Sequence, residues 1–293
     1  MQYKHLYNAT LAQLLSIYNN NEAANITQLL IEKGTGFTYN IMNQEVIISP
    51  ALIDDINTKL LALLQHQPIQ YVLAEAAFYK HIFYINNAVL IPRPETEELV
   101  HLTIATIKQL NITNPKVLEI GTGSGCISIS VKAALPQCTI TAIDISTAAI
   151  EVATKNATTI GTAITFVTLD FLNENMWHLL DHNWDIIVSN PPYISEAEKS
   201  NMDKNVLDYE PILALFPPTK NALIFYEKIK AFVLLNKVDC TLLCEINEHF
   251  GEATKKIYET DAFTSTTIIK DMQQKDRILT TKYNVVLHLP NYS

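Results

Sequence analysis

The chain has 293 residues with a formal net charge of −9, and 48% of them are hydrophobic against 17% charged. That composition belongs to a globular protein with apolar material for one or two cores. The acidic balance, without any Lys/Arg cluster, argues against broad binding to nucleic acid or to an anionic membrane. Four cysteines (Cys126, Cys138, Cys240, Cys244) lack C-x-x-C spacing and sit in apolar segments, so reduced core thiols of a cytoplasmic protein are expected, with no metal site and no disulfide set. No apolar run reaches the roughly 18 residues of a membrane span. Lys4 is the only Lys or Arg among the first 30 residues, so neither a signal peptide nor an Arg-rich transit peptide is expected.

Residues 1–70 read as a small helical domain. "ATLAQLLSIY" and "EAANITQLLIEKG" carry apolar residues at helical spacing, the second closing on Gly34 as the residue after the C-cap. "SPALIDDINTKLLALLQ" offers Ser49 as N-cap and Pro50 at the first helical position. A linker over residues 71–92 follows, in which "FYKHIFYINNAVLI" alternates and is expected to form a hairpin turning at Asn86-Asn87. "PRPETEELVHLTIATIKQL" then opens a helix whose acidic first turn suits the helix dipole.

Over 93–293 the pattern is that of one larger domain. The short apolar strands "KVLEI", "TITAIDI", "ITFVTL", "WDIIVS" and "CTLLCEI" alternate with helical segments, which implies βαβ units and a doubly wound α/β sheet. "FTSTTIIKD" and "DRILTTKY" are expected to add an antiparallel pair at one edge.

Three stretches carry chemistry. "VLEIGTGSGCISIS" is a strand, a glycine-rich turn and a helix start, in which Gly121, Gly123 and Gly125 permit positive φ and close approach of a ligand. Its G-x-G-x-G spacing differs from the dinucleotide fingerprint G-x-G-x-x-G. Asp144, ending the next strand, stands where an acid takes a ribose hydroxyl pair. Asp170 and Phe171 follow the third strand, where Phe171 is placed either in the core or against a purine ring. In "WDIIVSNPPYIS" a buried parallel strand is stopped by Pro191 and Pro192, which holds Asn190 just past its carboxyl end, where open α/β sheets bind ligands.

Together these stretches resemble the HemK/PrmC glutamine methyltransferases, a family of S-adenosylmethionine-dependent enzymes, and the likeness spans nearly the whole chain. "IPRPETE" is a specific signature, "EIGTGSGCISI" resembles the cofactor loop, "AIDIS" the ribose-binding acid and "VSNPPYI" the substrate motif. "DYEPILALFPPTKNALIFYEKI" and "KDMQQKDRIL" are similar to downstream blocks. The resemblance implies a Rossmann-like, seven-stranded doubly wound sheet with an antiparallel edge pair. Residues 1–70 hold no recognisable catalytic constellation, so that helical domain is expected to dock the protein substrate beside the Asn190 corner. It also implies methyl transfer from S-adenosylmethionine to the side-chain amide nitrogen of the Gly-Gly-Gln glutamine in class-one peptide chain release factors. By the same resemblance Gly121, Thr122, Gly123, Ser124, Gly125 and Asp144 hold the cofactor, Phe171 flanks adenine, and Asn190 faces both cofactor and substrate. Asn190, Pro191, Pro192 and Tyr193 hold the glutamine, and Asn190, Pro191 and Tyr193 carry the catalysis. No metal, nucleic-acid or membrane partner is implied, and a cytoplasmic monomer is expected. The chain departs from the family where Ala74 replaces a usual Gly, where "PPTKNAL" lacks an Asp-Gly, and where "EINEHFGEA" lacks a Gln.

The residues support the reaction on their own terms. An amide nitrogen is a poor nucleophile, so a catalyst must aim it and favour the charge that builds on it. Asn190 Oδ1 and the Pro191 carbonyl are two acceptors set by a stiff turn, and Tyr193 offers a flat face to a planar amide. A methyltransferase acting on an adenine or cytosine amino group is the alternative, since that nitrogen is also planar and conjugated; the acidic charge and the helical N-terminal domain weigh against it. A nicotinamide oxidoreductase would call for the longer glycine fingerprint, and a non-enzymatic release-factor binder for no cofactor affinity.

Overall fold

A computed structural model describes residues 1–42, 44–237 and 239–284. These fall into two compact units, Met1–Glu75 with Asp203–Tyr209, and Ala76–Met202 with the residues from Glu210 onward.

In the first unit α1 (Tyr3–Leu14), α2 (Asn20–Thr35), α3 (Pro50–Leu64) and α4 (Ile69–Leu73) bury one apolar core that includes Tyr3, Leu14, Leu30, Ile31, Ile56 and Leu63. Ser49 caps α3 with Pro50 in its first turn, and Asn19 caps α2 by accepting from Asn21 N and Glu22 N. The end of α2 differs from the sequence reading. Gly34 lies inside the helix, and Gly36 (φ 75°) takes the left-handed cap. Gly34 serves packing instead, because a Cβ there would stand 2.7 Å from Ile56 Cγ1. After α4 the chain turns at Ala74 with φ 54° and ψ 32°, a left-handed conformation in which a side chain is strained.

Two strands, β1 (Glu75–Phe78) and β2 (His81–Tyr84), form the hairpin. Its turn is at Tyr79-Lys80, not at Asn86-Asn87. Tyr79 adopts φ 51° and donates its N–H to Glu97 Oε1 at 2.8 Å, so the helix behind sets the turn. Asn86 instead makes a local turn, its Oδ1 accepting from Ala88 N at 3.0 Å.

The remaining elements build the sheet. In chain order they are α5 (Pro94–Leu110), β3 (Lys116–Ile120), α6 (Cys126–Ala134), β4 (Thr139–Asp144), α7 (Thr147–Ile160), β5 (Thr165–Thr168) and β6 (Ile186–Ser189). α8 (Lys204–Tyr209) belongs to the first unit; α9 (Ile212–Leu215), α10 (Ile224–Asn236), β7 (Cys240–Glu245), α11 (Gly251–Tyr258), β8 (Phe263–Lys270) and β9 (Asp276–Tyr283) complete the second. The strand order is β5-β4-β3-β6-β7-β9-β8, with β9 antiparallel to both β7 and β8. This is the expected seven-stranded doubly wound sheet with its antiparallel edge pair.

β6 and β7 are buried at every residue, which explains why their residues are mostly apolar and do not alternate with polar ones. From β3 the chain winds outward through β4 and β5, then returns to β6 on the other side of β3. The order therefore reverses between β3 and β6, and a crevice opens past their carboxyl ends. The glycine turn and Asn190 lie at those two ends. All four cysteines are buried and unpaired, and no helix among the described residues is long and apolar enough to cross a membrane.

Candidate active site

The glycine turn begins where β3 ends. Gly121, Gly123 and Gly125 take φ of 75°, 54° and 80°. Beyond Gly121 and Gly123 nothing stands within 4 Å of where a Cβ would be, so that side of the backbone is open. Gly125 has a different reason to lack a side chain: its Cβ would lie 2.8 Å from Ile129 Cδ1 and 3.2 Å from Ala153 Cβ, where α6 and α7 close on each other. Both Gly121 N and Thr122 N donate to Ile143 O at 2.9 Å, which ties the turn to β4.

Two acids brace the turn from within. Glu119 is fully buried, and Oε2 accepts from Thr122 Oγ1 at 2.6 Å and from Ser128 N at 3.3 Å. Burial pushes its carboxyl up to about 7. Asp144 Oδ2 accepts from Gly123 N at 2.9 Å, and Oδ1 accepts from Ser146 N, also at 2.9 Å. Burial raises the Asp144 carboxyl above its ordinary value, and the bonds from Ser146 and Gly123 oppose that rise. Each carboxylate oxygen still has a lone pair free for a ligand hydroxyl.

In front of the turn lies a cavity of about 680 Å³ within the second unit, a size ordinary for a small-molecule site. Gly121 to Ser124, Asp144 and Phe171 wall one part, and Asn190 and Pro192 another, with Asp170 also on the wall. Phe171 is a core residue that also reaches the cavity wall. It packs with Trp177 and Phe232, each ring centroid 5.6 Å away. Gly125, Pro191 and Tyr193 are not among the residues that wall the cavity.

Asn190 sits just past β6, and its side chain is held. Nδ2 donates to Thr96 Oγ1 at 3.1 Å, and the Thr96 hydroxyl donates to Glu245 Oε2 at 2.7 Å. Tyr193 donates its hydroxyl to Glu245 Oε1 at 3.0 Å, and its ring packs partly buried against the core. Burial raises the Glu245 carboxyl, while the Thr96 and Tyr193 bonds and the Arg277 charge oppose that rise. Asn247 Nδ2 bonds the Glu198 carboxylate at 3.0 Å, and Glu198 accepts from Ser195 N and Oγ at 2.9 and 2.6 Å. The segment after Tyr193 is thereby anchored to the end of β7.

Three residues of this site escaped the reading from sequence. Thr96 and Arg93 both lie within "IPRPETE" and both wall the cavity; Arg93 pairs with the buried Glu210 of "DYEP" at 2.6 Å. Glu245 is the third. Its signal was an acid closing the largely apolar strand "CTLLCE", since a buried carboxylate needs donors that only a built site supplies.

Similarity to known proteins agrees with this geometry. A family model described as the methyltransferase small domain matches residues 100–209. The release factor glutamine methyltransferase of Flavobacterium psychrophilum is 39% identical over 278 residues, covering 92% of this chain and 95% of that protein. The protein of the same name from Bacteroides thetaiotaomicron is 38% identical, covering 82% of this chain and 84% of its own. Among solved structures, the N-terminal domain of human METTL16 in complex with SAH aligns over 94% of each chain with a TM-score of 0.51. At 15% identity it shows a shared fold. The glycine turn, the Asn-Pro-Pro-Tyr corner and the full-length relatives all bear on one identity: the chain belongs to the release factor glutamine methyltransferase family.

Proposed function

We propose that this protein moves a methyl group from S-adenosylmethionine to the side-chain amide nitrogen of the glutamine in the Gly-Gly-Gln motif of a class-one peptide chain release factor. The observation that carries the reading is the held Asn190 amide: Thr96 takes its Nδ2, which leaves Oδ1 as an acceptor on a cavity shared with the glycine turn.

The residues fit the cofactor. Gly121 and Gly123 present open backbone where side chains would intrude, and Asp144 keeps lone pairs for a ribose. When bound, the cofactor supplies an electrophilic sulfonium methyl group. The chain supplies position and charge. Asn190 Oδ1 and the Pro191 carbonyl accept the two N–H bonds of the glutamine amide, which aims its nitrogen and favours the positive charge building there. Pro191 has no N–H of its own, so the turn offers acceptors without a competing donor. Tyr193, its hydroxyl fixed by Glu245, borders the corner as a rigid aromatic. No strong base is required, because an N-alkylated amide is acidic enough to lose its proton to water.

The first unit is read as the release-factor dock. It holds none of the chemistry-bearing motifs, and it exposes Leu29, Phe37, Ile47 and Leu61. Four buried, unpaired thiols suit a reducing cytoplasm, and the net charge of −9 favours a protein substrate over nucleic acid. Mass spectrometry of a release factor incubated with this protein and S-adenosylmethionine tests the reading. One added methyl on the Gly-Gly-Gln glutamine supports it, and a methyl on another residue, or none, rejects it.

A further inference from the structure

A carboxamide is nearly symmetric in shape, and its two ends differ chiefly in their hydrogen bonds. Asn190 therefore works as an acceptor only if something decides that Oδ1, and not Nδ2, is left for the substrate. The decision traces to a buried carboxylate two bonds away. Glu245, at the end of β7, is 1% exposed, and both of its oxygens meet hydroxyl groups: Thr96 Oγ1 at 2.7 Å and Tyr193 OH at 3.0 Å. An ionised carboxylate has only lone pairs to offer, so both hydroxyls must donate to it. A threonine hydroxyl has a single proton. Once that proton points at Glu245, Thr96 turns only lone pairs toward Asn190, and the partner it can take there is the Nδ2 donor seen at 3.1 Å.

We propose that Glu245 and Thr96 form a polarity relay in which the negative charge of Glu245 sets the direction of the Thr96 proton, and that direction holds the Asn190 amide with its oxygen toward the methyl-accepting nitrogen. Both are positioning residues, acting through Asn190. The relay rests on the reading of Asn190 as the acceptor of the substrate amide. It also explains the threonine of "PETE", because Thr96 is the only residue of that motif bonded to the Asn-Pro-Pro-Tyr corner among the described residues. Tyr193, on the other oxygen, ties the aromatic of the corner to the same charge.

The surroundings of Glu245 decide when the relay holds. Arg277 on β9 favours its ionised form, and Glu95 on α5 opposes it. Tyr193, Tyr226 on α10, whose hydroxyl donates to the Glu245 backbone carbonyl, and the thiol of Cys126 on α6 also face it among the described residues. Burial raises the Glu245 carboxyl above its ordinary range. Protonation at acid pH lets Glu245 donate to Thr96, whose proton then turns to Asn190 and flips the amide. Turnover is therefore lost as pH falls through the Glu245 titration and is kept above it.

The experiment uses the full chain, S-adenosylmethionine and a release factor in single-turnover methyl transfer at saturating cofactor, with cofactor affinity measured by calorimetry. Thr96→Val keeps the shape and removes the hydroxyl; it is expected to slow transfer roughly 10- to 100-fold with cofactor affinity within about threefold, a part of what losing a preorganised partner costs. Thr96→Ser restores the hydroxyl and is expected to recover the rate to within about threefold of wild type. Glu245→Gln is expected to slow transfer similarly and to abolish the loss of rate at acid pH that wild type shows. A Thr96→Val rate within threefold of wild type overturns the relay, and so does Ser failing to recover what Val loses. If Thr96→Val does not fold, an unchanged rate and pH profile in Glu245→Gln overturns it instead. No transfer by wild type overturns the reading of Asn190 itself, and the relay with it.

Discussion

Replacing Asp144 separates the bracing role that its hydrogen bonds show from the ligand role proposed for it. Its oxygens accept Gly123 N and Ser146 N, each at 2.9 Å, which fixes both the glycine turn and the start of α7. Its remaining lone pairs are those assigned to a ribose. In Asp144→Ala the ligand loses charge-assisted bonds worth about 1.5 to 3 kcal/mol, or roughly 10- to 150-fold in Kd. Asp144→Asn is the sharper variant. It keeps one acceptor, but sets an NH2 group against one of two backbone N–H donors, so it is expected to match alanine and not aspartate in affinity. Because burial raises this carboxyl, affinity should weaken as pH falls through its titration and hold above it. Calorimetry with S-adenosylmethionine across pH is the assay. A Kd within twofold of wild type in both variants would refute the assignment of Asp144 to the ligand.

Two predictions concern stability. Glu119, raised by burial from 4.5 to about 7, keeps in the folded chain a proton that the unfolded chain releases, so its contribution to stability falls as pH rises between those values. Glu119→Gln should flatten that part of the profile and gain on the order of 3 kcal/mol above it, read by urea unfolding; an unchanged profile rejects a proton on Glu119. Ala74→Gly should stabilise by about 0.5 to 1 kcal/mol, since relief of left-handed strain exceeds the added entropy of the unfolded chain. A lower melting temperature in that variant contradicts the strain.

Much of this architecture was legible because it follows from periodicity. The buried strands announced themselves as short apolar runs, and Ser49-Pro50 marked the start of α3 by capping chemistry alone. The reading went astray where tertiary contact outranked local signal. Gly34 looked like a cap but is a gap for Ile56, and the Asn86-Asn87 pair lost its hairpin to a turn held by Glu97. The same limit applies to the site. The glycine turn and Asn190 could be named from their spacing, whereas Thr96 and Glu245, 149 residues apart, meet only once the sheet and α5 have closed. A helical threonine and a strand-ending glutamate carry no joint signal in the chain.

The proposed chemistry stands or falls on Asn190. Asn190→Ala leaves β6, both prolines and the glycine turn in place, and it removes the acceptor that aims the glutamine nitrogen. The loss should cost about 2.7 to 4 kcal/mol, or roughly 100- to 1,000-fold, in single-turnover methyl transfer to a release factor at saturating cofactor. That slowing is expected with cofactor affinity within about threefold of wild type. A rate within threefold of wild type, in a variant that binds cofactor normally, would contradict it.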